Sequence, residues 1–167
     1  MQAGTMSRKA KGRVAPPPRL DGAAQSVSTE VAALPDVIVQ AHWEIGSQTE
    51  VNGTDFYVGE DELGHIHLDG EAHIPVGREL ADVLIRARLA RRFPWSREFV
   101  VVDTEAVAHA VWVFGLRRAQ IDGAGHAELC ERVDRHVTGQ ARPSAGERTA
   151  GTGVTGLGAS AGRRRRQ

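Results

Sequence analysis

Leu63-Gly64-His65-Ile66-His67-Leu68-Asp69-Gly70-Glu71-Ala72-His73-Ile74-Pro75 is the stretch that decides the fold of this chain. It gathers His65, His67 and His73, and alternates them with apolar residues. On a strand, successive side chains point to opposite faces, so Ile66 and Leu68 share one face and His65 and His67 the other. The turn residues Asp69 and Gly70 make the stretch a hairpin, and the apolar pattern selects its register. A two-residue loop at Asp69-Gly70 would pair Leu68 with Glu71 and Ile66 with His73, mixing polar and apolar on one face. A three-residue loop, Asp69-Gly70-Glu71, pairs Leu68 with Ala72 and Ile66 with Ile74, which keeps one face apolar. The second register is expected, with His67 opposite His73 and His65 two residues along on the same face.

Upstream, the chain reads as a short helix and then strands. Val27, Val31 and Leu34 predict a helix over 27–34 with Ser26 as its cap, ended by Pro35. Residues 37–43 are β-branched and alternating, hence a strand. Asn52-Gly53 favours a tight turn between two further runs, with Phe56 and Val58 inward, Asp55 and Tyr57 outward, and a turn at Glu60-Asp61. Downstream, Leu80, Val83, Leu84 and Ala87 predict a helix over 78–91, with Arg91 and Arg92 at the C-terminal end of its dipole. Pro94 breaks the chain. The valine run of 98–102 predicts a central strand, and Asp103-Thr104 caps a second helix carrying Val107, Ala110, Val111 and Phe114 inward. A last helix over 125–137 follows the break at Asp122-Gly123. Hairpin-linked strands followed by helices indicate an α+β domain, a mainly antiparallel sheet with helices packed on one face.

Composition divides the chain. Residues 1–25 and 138–167 are rich in Pro, Gly, Ala and Arg and hold little that could pack, so both are expected to be disordered tails. The domain is expected over 26–120, with the extra helix over 121–137. The net charge of zero hides a split: residues 21–136 carry ten Arg and no Lys against twenty Asp and Glu, a formal −10. Phosphates would be repelled by such a body, so nucleic-acid binding is expected only through the tail ending in Arg163-Arg164-Arg165-Arg166. The single Cys130 excludes an internal disulfide and a multi-Cys zinc site. No apolar run reaches membrane-span length and no signal-peptide segment opens the chain, so the expectation is a cytoplasmic protein with no membrane partner.

Glu62-Leu63-Gly64-His65-Ile66-His67, the following Ala72-His73-Ile74-Pro75, the helix from Leu80 to Ala90, Phe93-Pro94-Trp95 and Ala110-Val111-Trp112-Val113-Phe114 occur in an order that resembles the luciferase-domain family. The resemblance runs from about Pro35 to Leu116. It implies a small α+β domain of bacteria and fungi without an assigned biochemical activity. No Gly-rich flavin or nucleotide loop accompanies it, and no cofactor is named by the sequence.

Two functional readings attach to the histidine face. In the first, His65 or His67 acts as acid or base, oriented by Asp69 or Glu71, with Glu71, His73 and Trp95 holding a small-molecule ligand. In the second, His65, His67 and His73 bind a divalent metal, because imidazoles at i and i+2 share a face and a cross-strand partner completes a three-nitrogen set. Gly59, His65, His67 and Glu71 also fit the first cupin motif, but no second histidine-bearing strand follows to complete a cupin. Against these stand the reading of polar residues on a wet sheet face, and that of a non-enzymatic module whose sheet docks a protein partner. His42 has no visible partner in sequence, His109 lies off the inner stripe of its helix, and Cys130 reads as a weak nucleophile candidate.

Overall fold

The computed structural model describes residue 8, residues 13–44 and residues 49–141. The tail expectations for the other residues, Arg163–Arg166 included, lie outside the described residues. In chain order the elements are α1 (Gly22–Ala32), β1 (Val37–Trp43), β2 (Val51–Val58), β3 (Asp61–His67), β4 (Glu71–Ile74), α2 (Arg78–Arg86), β5 (Arg91–Arg92), β6 (Val100–Asp103), α3 (Val107–Ile121) and α4 (His126–Ala141). The strands form one sheet in the order β1-β2-β3-β4-β6-β5, antiparallel at every neighbouring pair. The fold is the α+β architecture that the pattern of hairpins and helices predicts.

The apolar face carries Phe56, Ile66, Ala72, Ile74, Val100 and Val102, all buried, and packs against α1 and α3 through Val27, Val31, Ala110, Val113 and Phe114. Phe56 and Phe114 meet edge to face with ring centroids 5.6 Å apart. Gly64 permits that approach. A Cβ there would stand 2.7 Å from Phe114 Cε1 and 2.9 Å from the His73 carbonyl oxygen. Leu80 and Leu84 of α2 and Leu129 and Val133 of α4 extend the same core. Val137, further along α4, is 40% exposed.

Several boundaries differ from expectation for identifiable reasons. The first helix starts at Gly22 rather than 27, and Leu20 and Ala24 are buried, so the expected tail boundary at residue 26 falls inside α1. Arg13 and Ala15 lie beside β1, where Ala15 O accepts the Ala41 amide at 2.9 Å and Arg13 O the Trp43 indole N–H at 2.6 Å. Asn52-Gly53 is not a turn but lies within β2; the turn expected at Glu60-Asp61 falls at Gly59-Glu60, where Gly59 takes φ 62°. The second helix ends at Arg86, because Arg88 adopts φ 59°, and Arg91 and Arg92 form a short edge strand instead of a helix end. The third helix starts at Val107 without a side-chain cap. Thr104 Oγ1 donates to Gly70 O instead, and Asp103 Oδ1 accepts the Glu105 amide.

The central hairpin also corrects its predicted register. His65 pairs with His73 and Ile66 with Ala72, so the loop is Leu68-Asp69-Gly70. Gly70, at φ 89°, is then the last loop residue, the position where a three-residue loop needs a left-handed backbone. The cost is Leu68, which is half exposed at the turn. Because the shift is two residues in the pairing sum, the faces are unchanged and the histidines still share one side.

Candidate functional site

The second face of the sheet is polar and yet largely buried. Register sets its layout. One row across the sheet runs Gln40, Asp55, His65, His73 and Val101; the next holds His42, Gly53 and His67. Gly53 has no side chain, so the rings of His42 and His67 meet above it with centroids 4.9 Å apart. His42 stacks on His65 at 4.1 Å with planes within 8°, and His67 lies 4.4 Å from His73. His42, His65 and His73 are buried at 5%, 8% and 7% exposure, whereas His67 is only partly buried.

Two carboxylates hold these rings. Asp55 Oδ1 accepts from His42 Nδ1 at 2.8 Å, and Glu62 Oε1 from His65 Nδ1 at 3.0 Å; Asp55 and Glu62 are each 1% exposed. Strict alternation would put Glu62 and His65, three apart, on opposite faces. A β-bulge puts them together: Tyr57 pairs with Glu62 and Phe56 with Gly64, leaving Leu63 as the extra residue. Leu63 drops into the core and Glu62 turns to the histidine side. Tyr57 donates to Asp55 Oδ2 at 3.3 Å, and burial, then the Asp55 carboxylate, push its phenol far above the ordinary range.

With Nδ1 facing a carboxylate, His42 and His65 keep Nε2 for other partners. His65 Nε2 lies 3.3 Å and His67 Nε2 3.1 Å from His73 Nδ1, while Glu71 Oε2 lies 3.5 Å from His73 Nε2. A neutral His73 protonated on Nε2 donates to Glu71 and leaves its Nδ1 to accept from the neighbouring Nε2 atoms. Burial pushes the pKa of His73 down. Burial, then the charge of His73, lowers that of His67 to about 4. One ring nitrogen from each of His42, His65 and His67 lies within 4.8 Å of the others, as do ligand atoms of Asp55, Glu62 and His65.

The predicted site residues fall out as follows. His65, His67 and His73 converge. Glu71 joins them through His73, and its Oε1 accepts from Arg91 at 2.7 Å, which holds its carboxyl below the usual range. Asp69 is exposed, and its Oδ1 accepts the Glu71 amide within the turn, so Asp55 and Glu62 are the carboxylates that orient the rings. Trp95 is 81% exposed and meets Phe93 edge-on at 5.3 Å; Phe93 in turn lies 4.8 Å from His73 and 5.7 Å from Phe99. His42 is not partnerless, and Cys130 has a histidine one helical turn away, His126 Nε2 at 3.4 Å. His109 is a satisfied structural residue, with Nε2 donating to Leu89 O at 2.6 Å. The signal for His42 was present in sequence: with Gln40 it occupies the positions of β1 that alternate with Val37, Val39 and Ala41.

Among the described residues, no helix is long and apolar enough to cross a membrane. No curated protein and no solved structure matches the chain. A family model does match, over residues 60–117, and its description is Luciferase domain. That span holds β3, β4, α2, β5, β6 and most of α3, including His65, His67, His73 and the Glu62 that the bulge turns toward them. Over residues 60–117, this chain is similar to the luciferase-domain family.

Proposed function

We propose that the imidazole cluster is a divalent-metal centre serving small-molecule chemistry, with His42, His65 and His67 as ligands and Asp55 and Glu62 as the carboxylates that orient them. The observation carrying this reading is that one ring nitrogen from each of His42, His65 and His67 lies within 4.8 Å of the others, with buried carboxylates behind two of the rings. Histidine ligands that donate their second ring proton to a carboxylate are the usual arrangement in metal sites. A metal held there with an open position supplies a Lewis acid or an activated water.

Asn52 favours a second, metal-free reading. Its Nδ2 donates to Glu44 Oε2 at 2.6 Å and lies 3.0 Å from His67 Nδ1, which places the His67 proton on Nε2. Asn52, His67, His73, Glu71 and Arg91 then form a continuous proton-relay chain suited to acid–base work. Metal binding through His67 Nε2 requires the Asn52 amide to turn and release Glu44.

Equilibrium dialysis of the full chain against Zn²⁺, Co²⁺, Ni²⁺ and Mn²⁺, followed by metal analysis, separates the two. The metal reading expects one equivalent bound, with a visible Co²⁺ spectrum and binding abolished by a His42→Ala/His65→Ala double variant. Folded wild type without stoichiometric metal sinks that reading and leaves the relay.

A further inference from the structure

We infer that the cleft bordered by Asp82, Arg92, Phe93, Trp95, Ser96 and Arg97 is the ligand-binding subsite of this centre, and that it takes a small acid, an oxyanion on a planar apolar body. The inference rests on the imidazole cluster being the reacting end. The cleft has a volume of about 530 Å³, within the range of small-molecule sites. It opens beside the cluster, since Phe93 is both one of its walls and the ring against His73 at 4.8 Å.

Its rim carries two arginines against one carboxylate, Asp82. Residues 21–136 carry a formal −10, yet this rim holds two guanidinium groups. Arg97 has no ion-pair or hydrogen-bond partner among the described residues, and Arg92 reaches only Asp82, at a long 3.7 Å. Arginine forks match carboxylate and phosphate oxygens, and an unpaired one needs no prior ion pair broken before it binds. Beside them Trp95 is 81% exposed, an unusual placement for an indole in a chain with few aromatics. Its edge-on contact with Phe93 leaves ring surface for a planar ligand, and indole faces also suit a body packed near arginine. Ser96 Oγ accepts the Glu98 amide at 3.2 Å, bracing the loop that carries both Trp95 and Arg97. A ligand held with its oxyanion on Arg97 and Arg92 extends along Trp95 and Phe93 toward His73.

The test is two-dimensional amide NMR of the full chain titrated with benzoate, phenyl phosphate and the uncharged benzamide, before and after loading with zinc. Benzoate or phenyl phosphate is expected to shift amides of residues 92–97 and the Trp95 indole N–H, with benzamide at least tenfold weaker. Arg97→Ala should weaken the acid tenfold or more and Trp95→Ala severalfold; both residues are exposed, so the fold is not at stake. The tighter acid identifies carboxylate or phosphate as the preferred head. Equal binding of benzamide, indifference to Arg97→Ala, or no shift with any probe overturns the proposal. Acid binding by a protein that takes up no zinc leaves the cleft standing and removes the metal centre. Zinc uptake without acid binding does the reverse.

Discussion

The two faces of the sheet are both buried, and they are buried by different physics. On the helix side, Phe56, Ile66, Ile74 and Val102 exclude water through contacts that any well-shaped apolar neighbour could supply. On the other side, His42, Asp55, Glu62, His65 and His73 exclude water only because each finds a particular partner. Burial of the first kind is non-directional and contributes stability almost by area. Burial of the second kind contributes little net stability, yet removing one partner strands another. The helix side therefore supports the fold, and the histidine side is kept for what its geometry does.

The sharpest way to break this contrast is to truncate one residue on each face. Phe114→Ala removes the ring that contacts Phe56 and covers Gly64, and should cost about 3–5 kcal/mol in urea unfolding. Glu62→Gln keeps the volume but weakens the acceptor for His65 Nδ1, and should cost about 1–3 kcal/mol. It should also lower metal affinity, a 10–100-fold loss by dialysis, as for other groups that orient a ligand. If Glu62→Gln destabilised as much as Phe114→Ala while metal uptake stayed unchanged, the histidine side would be part of the structural core and nothing more.

Acidification acts on one face only. Burial depresses the pKa values of His67, to about 4, and of His73. The unfolded chain takes up these protons near pH 6.5, the folded one only at lower pH, so between the two the unfolded state binds more protons. Stability should therefore fall as pH drops from about 6.5 toward 4. Urea midpoints of chelator-treated protein across that range measure it. His67→Asn should flatten part of the slope, and a midpoint independent of pH would mean that the rings are as protonated folded as unfolded.

How much of this was readable in the sequence also divides by face. The helix side follows from Val27, Val31, Leu80, Leu84 and Phe114 at helical spacing and from the alternation around Ile66, because apolar burial follows period and period is visible in one dimension. The histidine side was half visible. His65, His67 and His73 share a face in any register of the right parity, and the wrong register still kept them together. Glu62 was hidden because a bulge at Leu63 breaks the parity on which the reading depended. The partnership of His42 with Asp55 was hidden because it spans β1 and β2, whose pairing Asn52-Gly53 misassigned to a turn. Strand pairing is non-local, and a local turn signal is a poor guide to it when the asparagine and glycine are used for other ends.

The smallest effect should come where the two kinds of burial give way to solvent. Arg91 and Glu71 form a close pair at 2.7 Å, but their side chains are 61% and 41% exposed. An exposed pair in high dielectric gains little after side-chain ordering is counted, so Arg91→Ala should change stability by no more than about 0.5 kcal/mol. The same change removes the group that chiefly holds the Glu71 carboxyl below its usual range, so that carboxyl should titrate at higher pH, a shift that NMR of the side-chain carbon reads directly. Through His73 the change reaches the cluster's outermost ring while leaving His42, Asp55, Glu62 and His65 in place. A stability loss above about 2 kcal/mol would exceed what an exposed pair supplies. It would mean that the buried network extends outward through Glu71 to Arg91, and the boundary of the histidine side would then have to be drawn at the sheet edge.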